Sequence, residues 1–263
     1  MIGRTFTQAV AVGAALCFGV IASAQELIVG ANVGNVPYEF QDDTGEIVGF
    51  EVDLVKEIGE RLGREVKLEN VPFNGLFAAV QSGRIDMAIS SITITQKRME
   101  DVSFAQPYFD SDLVLAVLGT SGYKGLSDMA SKAIAVETGA TSDIWAVENQ
   151  EKYNFGEIRR YEGLGPAVLD LGNGRIDGYI SDVPALSFYI RDKPEFTIVE
   201  RIPTGEQYSI MFDKDSPLAA QVNDILTDLK NDGFFTEIHK KWFGTEPDPN
   251  TTTAKVMDMP KLQ

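Results

Sequence analysis

The sequence predicts an α/β fold with mostly parallel sheets, built as two similar lobes. Three observations lead there. Short β-rich runs alternate with runs of helical periodicity from Leu27 onward, the pattern of strand–helix–strand units. One such unit occurs twice: Gly75-Leu76-x-x-Ala79-Val80 leads to Gly83-Arg84-Ile85-Asp86, and Gly163-Leu164-x-x-Ala167-Val168 leads to Gly174-Arg175-Ile176-Asp177. The chain has 263 residues, 44% of them hydrophobic and 24% charged, which are globular proportions and enough for one large or two ordinary domains, each with a real core.

The elements follow in order. Leu27 to Asn32 is a β-rich run, and Asp42 to Glu46 is a polar turn whose carboxylates lack calcium-loop spacing. From Phe50, the residues Leu54, Val55, Ile58 and Leu62 recur at helical spacing, with Gly63 as the stop. Val66, Leu68 and Asn70 alternate as a strand. Leu76, Phe77 and Val80 make a short helix ending at Gly83, and Ile85 to Ile89 a strand. Ala133 to Val136, Ile158 to Tyr161, Ile176 to Ile180 and Thr197 to Val199 are further strands with helices between. Ser216-Pro217 caps and opens a helix whose Val222, Ile225, Leu226 and Leu229 share a face. Gly233 interrupts, Phe234 to Trp242 is a last short helix, and the Pro- and Thr-rich tail from Pro247 reads as loosely ordered.

The charge and the rare residues exclude whole classes of function. With 23 Lys and Arg against 39 Asp and Glu, the net charge is −16, unsuited to sequence-independent nucleic-acid binding. One Cys and one His exclude a disulfide framework and leave little for zinc or triad chemistry, so no cofactor and no metal is expected. His239 has no His or Cys companion and reads as a surface helix residue. Phosphate-loop and nucleophile-elbow patterns are absent.

The first segment reads as an export signal. Arg4 precedes an apolar run from Ala9 to Ile21, and Ala22-Ser23-Ala24 has the small-x-small pattern of a cleavage site. The run is short against the roughly 20 residues of a membrane span. Leu16 before Cys17 is larger than lipid-attachment signals prefer, so Cys17 is assigned to the removed segment. Cleavage after Ala24 leaves an exported chain without Cys and with no second apolar stretch long enough to span a bilayer.

In open α/β sheets ligands sit beyond the carboxyl ends of strands, so the loops there carry the candidates. Ser90-Ser91 leads to Thr93-Ile94-Thr95-Gln96-Lys97-Arg98, where hydroxyls and a guanidinium fork suit a carboxylate; on its own an Arg early in a helix also fits solvent. Thr141 and Ser142 open a helix whose free N–H groups favour an anion, or simply cap it. Asp182 after Ile176 to Ile180 is either an N-cap or a partner for an ammonium group. Phe73 beside Pro72 is a cleft-wall aromatic or ordinary core.

These segments together resemble the polar amino-acid family of periplasmic solute-binding proteins that serve ABC importers, bacterial extracellular solute-binding protein family 3. The resemblance runs from about Glu26 to Gly244. It rests on Pro37-Tyr38-Glu39-Phe40, Gly49-Phe50-Glu51-Val52-Asp53-Leu54, Gly83-Arg84-Ile85-Asp86-Met87, Ser90 to Arg98, Phe104, Pro107-Tyr108, Gly174-Arg175-Ile176-Asp177 with Asp182, and Lys241-Trp242-Phe243-Gly244. It implies a two-lobed periplasmic-binding-protein fold of type II, with a ligand cleft between lobes joined by two crossing strands near Phe109 to Asp112 and Glu206 to Ser209. The implied organisation is a signal peptide over 1–24, a first lobe over 25–110 and 208–246, a second lobe over 111–207 and a tail over 247–263.

By the resemblance, Arg98 clamps the ligand α-carboxylate with Thr93 and Thr141. Asp182 pairs with the α-ammonium, helped by Ser91. Ser90 lies close to the ligand and Phe73 packs on its side chain. Two positions depart from the family pattern. Asn35 replaces a common aromatic, removing one wall of a sandwich unless Tyr38 swings in, and Asn32 stands where relatives for cationic amino acids often carry an acid. Asn32 and Asn35 therefore suit a polar, uncharged side chain such as glutamine. The implied function is non-catalytic binding of a polar amino acid by a periplasmic monomer, delivered to the membrane permease subunits of an ABC transporter. The alternative is a periplasmic cyclohexadienyl or arogenate dehydratase on the same fold, which would need an acid such as Glu137 or Glu39 facing the cleft.

Overall fold

The structure, a computed structural model, describes residues 26–262; the export signal expected over 1–24 lies outside them. The first part of the chain forms β1 (Leu27–Ala31), β2 (Phe40–Gln41), β3 (Ile47–Val48), α1 (Phe50–Leu62), β4 (Val66–Asn70), α2 (Phe73–Gln81), β5 (Met87–Ala88), α3 (Gln96–Met99), β6 (Val102–Phe104) and β7 (Phe109–Leu118). Then come β8 (Ala133–Glu137), α4 (Thr141–Glu148), α5 (Gln150–Tyr153), β9 (Glu157–Tyr161), α6 (Leu164–Gly172), β10 (Gly178–Asp182), α7 (Val183–Ile190) and β11 (Phe196–Tyr208). The chain closes with β12 (Met211–Asp213), α8 (Pro217–Asn231) and α9 (Phe234–Phe243).

Two five-stranded sheets result, in the orders β4-β1-β5-β12-β6 and β11-β7-β10-β8-β9. Each has a parallel half, β4-β1-β5 and β10-β8-β9, and an antiparallel half. The sheets are thus mixed, where the strand–helix alternation predicts mostly parallel ones. The difference lies in three strands: β12 returns to the first sheet, and β7 and β11 pair antiparallel through most of their length. Phe109, Asp110 and Ser111 stand opposite Tyr208, Gln207 and Glu206, so the chain passes between the sheets along one paired ribbon.

The repeated unit is the same device in both sheets. After α2 and after α6 the chain turns at Gly83 (φ 69°) and Gly174 (φ 67°), a left-handed conformation that costs glycine least. The following Asp then clips the neighbouring strand. Asp86 N–H donates to Ile28 O while its carboxylate accepts from Ile28 N–H; Asp177 and Ala133 make the same reciprocal pair. Each Asp satisfies backbone groups at the start of a strand and sets its register.

Apolar spacing explains the helices. On α1, Leu54, Val55 and Ile58 are fully buried, and Val222, Leu226 and Leu229 of α8 pack into the same core. Gly49 has a different reason: a Cβ there would lie 1.9 Å from Tyr38 O, and this close approach lets Phe50 and Glu51 donate to Pro37 O and Tyr38 O. Beside the ribbon, Tyr38, Phe50, Phe109, Tyr208 and Phe243 form an aromatic cluster, and His239 packs against Phe243 at 4.8 Å with the rings tilted, half-buried rather than on the open surface.

The C-terminal tail is packed, contrary to the composition-based expectation. Thr252 and Thr253 are buried. Thr252 donates twice to Asp110 at the start of β7, and Met257 N–H donates to Gln106. The Lys230 ammonium bonds Gln106, Pro107 O and Lys255 O, tying the tail to α8. Specific polar contacts order a segment that has little apolar surface.

Candidate functional site

A cavity of about 390 Å³ is lined by residues from both sheets. They sit at the carboxyl ends of strands: Asn32 after β1, Ser90 and Ser91 after β5, Glu137 at the end of β8 with Ala140, Thr141 and Ser142 after it, Glu162 and Gly163 after β9, and Asp182 at the end of β10. Parallel strands point their last residues and the following helix N-termini to one side, which is why a sequence alternating in this way makes a cleft there.

Arg98 is only 9% exposed. Thr95 caps its short helix, accepting from Arg98 N–H, and so fixes the backbone below it. The guanidinium donates to Thr93 O at 2.7 Å and, across the cleft, to Gly139 O at 3.2 Å. It lies over the rings of Phe73 and Phe77, 5.4 and 5.2 Å from their centroids. Burial lowers its pKa to about 10, opposed by Glu206 and Asp182, so it is a cation at neutral pH. Two donors to backbone oxygens leave part of the fork for an anion in the cavity.

Thr141 is the first residue of α4, where N–H groups have no intrahelical acceptor. Neither Thr141 nor Ser142 caps the helix, whose N-cap is Ala140; instead Asp143 closes the turn by accepting from Gly139 N–H and pairing with Arg160. Asp182 stands at the N-cap of α7, yet its carboxylate makes no cap bond and accepts from the Tyr208 hydroxyl at 2.5 Å. Burial raises its pKa well above the carboxylate range, with repulsion from Glu206 and Glu137 adding and the Tyr208 bond and Arg98 opposing. A cation brought to Asp182 would restore its charge.

On the first-sheet side, Asn32 donates to Glu137 Oε1 at 2.7 Å and Asn35 to the Ser91 hydroxyl at 3.0 Å. Ser91 holds a left-handed backbone (φ 47°), uncommon for a residue with a Cβ, and gives its N–H and hydroxyl to Glu51. Ser90 donates to Glu39, and Tyr108 to Glu51. Glu39 and Glu51 are fully buried, their Oε2 atoms have no donor, and the two carboxyls interact directly. Burial and mutual repulsion raise Glu39 well above the carboxylate range. A proton held on Glu39 lets this carboxyl donate to Glu51, so that the two acids share one proton. The pair thereby holds the Ser90-Ser91 loop from below.

Asn32, Asn35, Phe73, Ser90, Ser91, Thr93, Arg98, Thr141 and Asp182 all line the cavity. Tyr38 does not: its ring is fully buried in the aromatic cluster against Phe50, Phe109, Tyr208 and Phe243, so it supplies no cavity wall. Phe73 serves as a platform for Arg98 as well as a wall. Of the two acids considered for catalysis, Glu137 lines the cavity and Glu39 lies beneath it. Glu206 is the residue that sequence reasoning misses. It is buried, accepts from the Thr93 hydroxyl at 2.9 Å and interacts with Thr141 and Arg98. Its signal was the period of a strand, which puts Glu206 on the face of Tyr208.

A family model described as "Bacterial extracellular solute-binding proteins, family 3" matches residues 27–245. The arginine-binding periplasmic protein of Mannheimia haemolytica is 32% identical over 238 residues, 87% of this chain and 96% of its own. Among solved structures, the arginine-, lysine-, histidine-binding protein ArtJ of Geobacillus stearothermophilus is 35% identical with a TM-score of 0.78, covering 86% of this chain and 98% of its own. An ancestral arginine-binding protein bound to glutamine is 32% identical with a TM-score of 0.77, covering 83% and 98%.

Proposed function

The chain belongs to family 3 of the bacterial extracellular solute-binding proteins, and on that premise we propose that it binds an α-amino acid in the cavity and delivers it to an ABC-type permease. The observation that carries this reading is the pairing of unlike charges in one cavity. Arg98 stands on the first-sheet side with spare donors, and Asp182 on the second-sheet side with a carboxylate that burial leaves short of a cation. A zwitterion answers both. Thr93 and the opening amides of α4 complete the carboxylate site; Ser91, held by Asn35, assists Asp182 at the ammonium.

The same arrangement gives a mechanism for reporting occupancy. The carboxylate group and the ammonium group of one ligand are held by residues of different sheets, so both contacts exist only when the two sides are close. Ligand therefore favours closure by its differential affinity for that state. The permease subunits would read the closed form. We assign residues 1–24 as an export signal cut after Ala24, the lobes to 25–110 with 208–246 and to 111–207, and the exported protein to the periplasm as a monomer.

The test is calorimetric titration of the purified protein with each of the common amino acids, after unfolding and refolding to remove any copurified ligand. Saturable binding of at least one amino acid, with one site per chain, is expected. Absence of binding to all of them refutes the reading. Incubation with prephenate and with arogenate tests the enzymatic alternative, because Glu137 faces the cavity; no product is expected, and product formation overturns a purely binding role.

A further inference from the structure

Resting on the reading of the cavity as an amino-acid site, we propose that Glu137 reads the ligand's side chain, and that it selects one ending in a guanidinium or ammonium cation over a neutral amide.

The argument is one of charge and of free acceptors. Among the described residues lining the cavity, Arg98 is the only cationic side chain, whereas Asp182, Glu137 and Glu162 are acidic and Glu206 stands behind Thr93 and Thr141. An amino-acid backbone cancels Arg98 with its carboxylate and Asp182 with its ammonium. That leaves Glu137 and Glu162. Glu162 accepts from the Thr138 hydroxyl at 2.9 Å and is bordered by solvent. Glu137 is different. Its Oε1 accepts from Asn32 at 2.7 Å, and among the described residues no protein donor reaches its Oε2. Closing the cavity over a neutral ligand would strand this carboxyl without a counter-charge, and closing it over a cation would supply one.

The Asn32–Glu137 bond joins the ends of β1 and β8, one from each sheet. Asn32 therefore does not dictate a neutral side chain, as its identity alone suggests. Its amide is occupied in orienting an acid that stands across the cleft, and the carboxylate expected on the first-sheet side is provided from the second. Burial raises Glu137 to about 7, the charge of Glu162 adding and the Asn32 bond opposing. The other groups that face it are Asp182 and Tyr179 of β10. A cationic side chain ionises Glu137 on binding and releases its proton; a neutral one leaves it in place.

The experiment uses arginine and citrulline, nearly equal in shape but differing in charge, with glutamine as a third ligand. Calorimetry at pH 7 in two buffers of different ionisation enthalpy gives affinity and proton release together. For the wild type, arginine is expected to bind at least about 100-fold tighter than citrulline, releasing roughly half a proton, with little release for citrulline. Glu137→Gln keeps an acceptor for Asn32 and is expected to bring the two ligands within about fivefold by weakening arginine. Equal affinity for arginine and citrulline in the wild type overturns the inference, as does an unchanged ratio in the variant. Preferential binding of glutamine refutes the role of Glu137 while sustaining the amino-acid site. Failure of every amino acid to bind refutes the site and the inference together. The proton measurement needs no variant and so stands even if Glu137→Gln fails to fold.

Discussion

Replacing Arg98 by Ala is the sharpest test of the carboxylate site. The guanidinium is nearly buried, anchored to Thr93 O and Gly139 O, and laid over Phe73 and Phe77. These contacts hold the fork in place before ligand arrives, so little side-chain entropy is lost on binding. Its removal leaves a bound carboxylate facing Asp182, Glu137 and Glu206 without a counter-charge. Breaking a buried ion pair by deleting one partner costs about 3–5 kcal/mol. At about 1.4 kcal/mol per decade, affinity falls by roughly two to nearly four orders of magnitude. Calorimetry with the tightest-binding amino acid measures this, and a circular-dichroism melt shows whether the variant is folded. Arg98→Lys keeps the charge but loses the fork, and is expected to remain at least about tenfold weaker than wild type. A folded Arg98→Ala variant that binds within tenfold of wild type would refute the assignment.

Three further outcomes follow from the geometry. Ligand-free protein is expected to be more stable at pH 5.5 than at pH 8: Glu137 titrates near 7 against 4.5 for an ordinary Glu, so folding retains a proton between those values. That contribution is complete below the unfolded pKa and disappears as pH rises through 7, at most about 3 kcal/mol; burial moves Glu39, Asp182 and Glu206 the same way, while Lys230, which burial lowers to about 7, opposes the trend above that pH. Thermal melts across this range check it, with a flatter profile for Glu137→Gln. Glu39→Gln retains an acceptor for Ser90 and a donor for Glu51, so ligand affinity should stay within about threefold, whereas Glu39→Ala strands the Ser90 hydroxyl and should weaken binding at least about tenfold; equal affinities in the two variants would count against the shared proton. Truncation after Glu246 removes the bonds of Thr252, Lys255 and Met257, and is expected to cost about 2–4 kcal/mol in denaturant unfolding; an unchanged midpoint would mean that the tail contributes nothing.

Much of the first sheet was legible in the chain because its signals are local. The spacing of Leu54, Val55 and Ile58, the stop at Gly63 and the cap at Ser216 each depend on a few neighbouring residues. The strand over Thr197 to Val199 is the contrast. It grows to Phe196–Tyr208 because β7 runs beside it, and residues such as Glu200, Arg201 and Glu206 have no strand preference of their own. Tyr38 shows the same limit at the site. A motif places it near the cleft, but only packing against four other aromatic rings shows that it faces the core.

By itself the sequence determined the alternation of strands and helices, the repeated Gly-Arg-Ile-Asp unit and which loops carry Arg98 and Asp182, because these are written in periodicity and short motifs. The tertiary structure decided what those side chains meet. It brought Glu206 beneath Thr93, set a second acid against Glu39, and put Glu137 opposite Asn32, pairs separated by tens of residues or more in all but the Glu39–Glu51 case. The charge of a cavity is a sum over residues that no local pattern joins, and burial sets how much each counts. A chain with a net charge of −16 can therefore hold one buried cation and several acids in one cleft. The balance among them is fixed only when the two sheets come together.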